Sequence, residues 1–249
     1  MNSYLTWEEL LAFREQAALF TESLGQPQAK LGPEEFFKLR KLLSQYQDLS
    51  PLKKPFNEDL YKQCLEAGLV SADPNFLGYV IPAIQESRNN DMTVLIEGES
   101  GTGKEMVADC IWKTGSRSGK EMIKINCGAL TNELASSELF GHQKGAFTGA
   151  HQKKKGFFET ADGGILFLDE ISELSKENQV KLLRVLGNRS VQPLGSTNTV
   201  EVDVKVIAAS NKKLEDEVKE GRFREDLFNR LNRIRINLLP EIDVLIRKV

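Results

Sequence analysis

At 249 residues the chain is long enough for one large α/β domain with a smaller element beside it. Its hydrophobic content of 40% and charged content of 28% are those of a soluble protein, and no apolar run approaches the roughly 20 residues that span a bilayer. The net charge of −3 excludes a bulk basic surface for nucleic acid, and Met1-Asn2-Ser3-Tyr4 does not open a signal peptide, so a cytoplasmic protein is expected. Cys64, Cys110 and Cys127 show no Cys-x-x-Cys spacing, which predicts reduced thiols, not a disulfide framework or zinc site.

In chain order, Thr6-Trp7-Glu8-Glu9 is a capping box, followed by an apolar stripe at helical spacing from Trp7 to Leu24. Gly32-Pro33 starts a second helix with Phe36, Leu39, Leu43 and Tyr46 on its buried face. Residues 50–55 read as a connector, and Asn57 is placed to cap a third helix ending near Gly68. This region, 1–72, fits a regulatory or oligomerisation module and fits equally a helical extension packed on the main domain. From Asp73-Pro74 the pattern becomes α/β. Strands are expected at Thr93–Ile96, Met122–Asn126, Gly164–Leu168 and Val204–Ala209, with helices between them. That alternation predicts a parallel sheet covered on both faces.

The strand at Val94 runs into Gly98, Glu99, Ser100, Gly101, Thr102, Gly103, Lys104 and Glu105, and a helix follows. Strand, glycine-rich loop with lysine, then helix is the setting of a phosphate-binding loop. Backbone N–H groups and the helix N-terminus attract phosphate, and Lys104 adds a mobile positive charge. Glu105 departs from the general pattern, standing where Ser or Thr helps hold Mg²⁺. The strand expected at Gly164–Leu168 ends in Asp169-Glu170. Nucleoside triphosphate hydrolysis needs one carboxylate for Mg²⁺, a role that suits Asp169, and another to polarise water, which suits Glu170. Asn211 ends a neighbouring strand, where it could position the same water or simply form a turn.

These motifs, with Glu138-Leu139-Phe140-Gly141-His142, the hexapeptide Gly145, Ala146, Phe147, Thr148, Gly149, Ala150, and Phe223-Arg224-Glu225-Asp226-Leu227, resemble those of bacterial enhancer-binding proteins. Members of that family are AAA+ ATPases that activate RNA polymerase carrying sigma-54. The resemblance covers about Phe76 to Pro240 and makes Glu105 an ordinary member of the loop. It implies ATP and Mg²⁺ as cofactors, with Leu77 and Gly78 beside the nucleotide. It implies that Asn126 restrains Glu170, and that Arg224 and Arg230 reach the γ-phosphate bound by a neighbouring subunit of a ring, such as a hexamer. The hexapeptide would contact sigma-54, and Gln192 to Val200 would form a second loop that moves with it. Helicases and clamp loaders do not account for the hexapeptide. Arg222 is read as a surface residue, and His142 and His151 as loop-surface residues without metal partners.

The resemblance fades at Leu238-Leu239-Pro240, leaving 241–249 as a short tail where the family continues into a helical lid and then a helix-turn-helix. Direct binding to enhancer DNA is therefore not expected of this chain. Two expectations stand side by side: an ATP-hydrolysing remodeller of the sigma-54 polymerase, and a protein that binds ATP and sigma-54 without turnover. Intact Lys104, Asp169, Glu170 and Arg224 favour the first, and the missing lid favours the second.

Overall fold

The structure of the chain, a computed structural model, describes residues 58–67, 69 and 79–238. The chain divides into units Met1–Phe56 and Asn57–Val249, and every described residue belongs to the second. The expected helices around Trp7 and Phe36, the connector at 50–55, Leu77, Gly78 and the tail from Glu241 lie outside the described residues.

Helices α1 (Glu58–Glu66) and α2 (Ile81–Arg88) precede β1 (Val94–Gly98) and α3 (Lys104–Thr114). Next come β2 (Met122–Asn126), α4 (Asn132–Phe140), the single turn α5 (Phe157–Thr160) and β3 (Ile165–Asp169). A 3-10 turn over Ile171–Glu173 leads into α6 (Lys176–Asn188). A short hairpin of β4 (Ser190–Val191) and β5 (Val200–Glu201) is followed by β6 (Lys205–Ser210), α7 (Leu214–Lys219), α8 (Glu225–Leu231) and β7 (Ile234–Leu238).

Five strands pair in the order β2-β3-β6-β1-β7, every pair parallel. The apolar runs of β1, β3 and β6 are explained by position: these strands are central and buried on both faces, whereas the edge strand β2 is half exposed. Because β6 returns between β3 and β1, the carboxyl ends of these three strands meet at one crevice, where open α/β sheets bind ligands. Phe140, Phe158, Phe167 and Phe223 fill the interior around them. The strand β7 was not expected. Its Arg235 interrupts the apolar pattern, and a buried carboxylate explains it: Glu97 accepts hydrogen bonds from Arg235 Nε at 2.6 Å and from the Leu214 amide at 2.9 Å. Lys205 is also buried, with its ammonium donating to the carbonyls of Ser87 and Asn90 at the end of α2.

The cysteine expectation is corrected. Cys64 on α1 and Cys110 on α3 are joined as a disulfide, with Cα atoms 5.5 Å apart. The cause is packing of α1 on α3, which buries Leu60, Tyr61 and Leu69 and brings together thiols separated by 46 positions. Among the described residues, no helix is long and apolar enough to cross a membrane.

Candidate nucleotide site and surface loop

At the end of β1 the chain must turn in little space. A Cβ on Gly98 would meet Thr102 Oγ1 at 2.7 Å and the Leu238 carbonyl oxygen at 2.8 Å, so only glycine fits beside β7. Gly103 adopts φ 87° and leads into α3 with no side-chain cap, leaving the first-turn amides directed at an incoming anion. Lys104 Nζ donates to the carbonyls of Gly98 and Glu99, each at 2.7 Å. Burial lowers the pKa of Lys104, and the charges of Asp169 and Glu170 oppose that shift. The loop lysine and the two carboxylates therefore share one electrostatic site. Glu105 points to β2 instead, where Lys124 pairs with it at 3.0 Å.

Asp169 is the last residue of β3, directly across from Asn126 on β2. Its Oδ1 accepts the Glu170 amide at 2.9 Å. The other oxygen and the open crevice suit Mg²⁺, which is ordinarily held by one or two carboxylates together with substrate phosphates and water. Glu170 adopts φ 52° and ψ 44°, a left-handed backbone that is uncommon and costly for a residue with a side chain. Its carboxylate lies over Gly128, since a Cβ built there would run into Oε2. Asn126 sits beside it, but its side-chain oxygen accepts the Gly128 and Ala129 amides at 2.8 and 3.1 Å. Among the described residues, Asn126 and Glu170 share no hydrogen bond. Asn211 is exposed one position beyond the Glu97–Ser210 pair, on the same carboxyl edge. Cys127, which sequence reasoning gave no role, lies below this edge. Burial, then the charges of Asp169 and Glu170, push its thiol up to about 12, so it stays protonated and unreactive.

Arg224 is the residue from which α8 starts, and Arg230 lies in its last turn. The Arg224 guanidinium pairs with Asp226 at 2.7 Å and remains partly exposed. Arg230 donates through Nε and a terminal nitrogen to the Leu186 carbonyl at 3.1 and 2.7 Å. It lines a cavity of about 450 Å³ together with Asp91, Thr93, Arg189, Asp203 and Arg233. Thr93 precedes β1 and Asp203 precedes β6, so this cavity opens at the amino edge of the sheet and is not the nucleotide site. The five residues of β1, at about 3.3 Å each, set roughly 16 Å between the two edges. Arg222, as expected, is a surface residue, held by Glu217 and Glu220.

The hexapeptide forms a closed turn. The Gly145 amide donates to Ala150 O at 2.8 Å, and the Ala150 amide to Phe147 O at 3.0 Å. Phe147 is 45% exposed and Thr148 and Gly149 are exposed, while Ala150 is buried at the base. Phe147 is therefore no core anchor. The reading of His142 is corrected: it is 8% exposed, because it pairs in backbone with Lys154, shares a 2.7 Å hydrogen bond with Ser137, and meets the Phe147 ring edge-on at 5.0 Å. His151 is exposed, as expected. The second loop is tied to the first, with the Gln143 amide donating to Leu194 O and the Leu194 amide to Gly141 O, both at 2.9 Å.

The family described as the sigma-54 interaction domain matches residues 71–237. Transcriptional regulatory protein ZraR of Klebsiella oxytoca is 50% identical over 166 residues, covering 64% of this chain and 38% of that protein. ZraR of Salmonella typhimurium is 44% identical over 209 residues, covering 76% of this chain and 47% of that protein. Among solved structures, NtrX from Brucella abortus, crystallised in complex with ATP, superposes with a TM-score of 0.62 at 30% identity, covering 81% of this chain and 42% of that one. The chain spans less than half the length of each of these relatives. Since the matched residues include the phosphate loop, both carboxylates, the hexapeptide and both arginines, the chain belongs to the family of sigma-54-dependent activators that carry an AAA+ sigma-54 interaction domain.

Proposed function

We propose that this chain is the ATP-hydrolysing subunit of a homo-oligomeric ring, such as a hexamer, that remodels the sigma-54 RNA polymerase holoenzyme in the cytoplasm. The observation that carries the reading is the grouping of Lys104, Asp169 and strained Glu170 at one sheet edge, with Arg230 at the opposite edge. In this division of labour, 73–240 is the ATPase core, 1–72 the preceding helical region and 241–249 a tail. Leu77 and Gly78 flank the nucleotide, and the loop from Gly98 to Glu105 carries its phosphates. Asp169 holds Mg²⁺, which neutralises phosphate charge when bound. Glu170 accepts a proton from the attacking water, Asn126 restrains Glu170, and Asn211 positions the water.

An arginine separated by roughly 16 Å from its own phosphate loop serves a γ-phosphate only across a subunit boundary. Arg230 therefore acts in trans, and Arg224, at the start of the same short helix, acts with it, stabilising charge that develops during transfer. Phe147 and Thr148 offer an apolar ring and a hydroxyl on an exposed tip, suited to a protein contact with sigma-54. Hydrolysis rate against protein concentration, with particle size followed in parallel, tests the assembly. Specific activity should rise as rings form. A constant specific activity from a monomer at every dilution contradicts the proposal.

A further inference from the structure

Gln179 lies in the first turn of α6 and is completely buried, yet its side chain makes three long-range or loop contacts. Its Nε2 donates to the Leu174 carbonyl at 2.8 Å and to the Arg222 carbonyl at 3.1 Å. Its Oε1 accepts the Arg224 amide at 2.9 Å. A primary amide has two N–H donors and a carbonyl acceptor, so this one group meets all three demands. A glutamate keeps the acceptor but loses both donors, leucine loses everything, and asparagine is one methylene short.

The partners are what give the contact meaning. Leu174 closes the 3-10 turn that begins at Glu170, whose own carbonyl accepts the Glu173 amide at 2.9 Å. Arg224 is the residue from which α8 starts, and its own side chain caps none of that helix's amides. Phe223, between the two bonded backbone groups, is buried and fixes the strand-like entry to the helix. A single buried amide thus joins the turn after Glu170 to the backbone that presents the Arg224 guanidinium.

We propose that Gln179 is the positioning residue for Arg224, holding the arginine that a subunit offers its neighbour in register with that subunit's own Glu170 turn. The proposal deepens the trans-arginine reading and rests on it. Gln179 touches neither nucleotide nor water; it acts through Arg224. Losing it should leave the subunit's own phosphate loop intact and impair the site next door.

Two measurements test this on the full chain. Hydrogen exchange in the peptide containing residues 222–227 should accelerate at least about 10-fold in Gln179→Leu, because the Arg224 amide loses its acceptor and opens locally. Gln179→Glu, which keeps the acceptor, should give a smaller change and remains usable if the leucine variant folds poorly. Unchanged exchange in both variants overturns the proposal. Turnover by Gln179→Leu alone should fall on the order of 10²-fold, the scale of an ångström-sized misplacement, while KM for ATP stays within about twofold. Mixing Gln179→Leu with Glu170→Gln should then recover activity, since one interface receives an intact Glu170 and a well-held Arg224. The parallel mixture of Arg224→Ala with Glu170→Gln separates the two ideas. Recovery there but not with Gln179→Leu means that Gln179 serves its own site, which overturns the proposal. No recovery in the Arg224→Ala mixture removes the trans reading itself, while exchange at 222–227 still decides whether Gln179 holds Arg224.

Discussion

Replacing Lys104 by alanine should abolish nucleotide-dependent stabilisation and leave the free protein nearly unchanged. Among the described residues its ammonium bonds only the Gly98 and Glu99 carbonyls, which border solvent and can be hydrated instead. The cost is then about 0–1 kcal/mol, a melting change of at most about 4 °C for a unit of this size. In the complex the same ammonium meets phosphate, and a charge-assisted contact of about 1.5–3 kcal/mol corresponds to roughly a 10²-fold loss of affinity. At Mg-ATP about 100-fold above the native dissociation constant, native protein gains about 2.7 kcal/mol, or roughly 5–11 °C. The variant, with ligand then near its own dissociation constant, gains about 0.4 kcal/mol and moves by about 1–2 °C. Thermal melts of both proteins with and without Mg-ATP read this directly. Equal nucleotide shifts would refute the phosphate-loop assignment, and a large drop for the free variant would refute the claim that the lysine is dispensable to the fold.

Glu170→Gln should bind ATP as the native chain does and hydrolyse it at least about 10²-fold more slowly, since the amide cannot take the proton from water; matched rates in a turnover assay contradict that role. Unreduced, denatured protein should titrate a single thiol, Cys127, rising to three after reduction. Reduction should also lower the melting temperature by several degrees, on the order of the 2–4 kcal/mol a disulfide contributes; three thiols without reductant would dissolve the pairing. Burial pulls the pKa of Lys205 down to about 8. The unfolded chain, with a lysine near 10.4, holds more protons between about pH 8 and 10, so this group makes stability rise with pH there. The urea midpoint of native protein relative to Lys205→Met should climb over that window, and a flat or falling difference counts against it.

The parts most legible in the sequence are those governed by local pattern. The buried strands β1, β3 and β6 are continuous apolar runs, and the glycines of the phosphate loop follow from backbone geometry at Gly98 and Gly103. What escaped depends on partners distant in the chain. Arg235 obscures β7 until Glu97, 138 positions earlier, is found beneath it. The Cys64–Cys110 pair carries no spacing signal because two separate helices create it. Gln179 reads as one residue of a helical stripe, and only its three bonds reveal a joint between two distant loops. His142 looks like loop surface because its burial comes from Ser137, Lys154 and Phe147 closing over it.

If ATP turnover drives the proposed remodelling, nucleotide state at the sheet edge must change how tightly the hexapeptide holds sigma-54. Coupling of that kind requires sigma-54 affinity to differ between nucleotide states. Thr148 is exposed at the tip of the loop, so Thr148→Ala should disturb neither fold nor nucleotide affinity. The most direct measurement is capture of purified sigma-54 by native protein and by Thr148→Ala, each with and without ADP–aluminium fluoride, a mimic of the hydrolysis transition state. The account predicts capture by native protein that strengthens with the mimic and is lost in the variant. Equal capture by the two proteins, or none by native protein in either state, would contradict it.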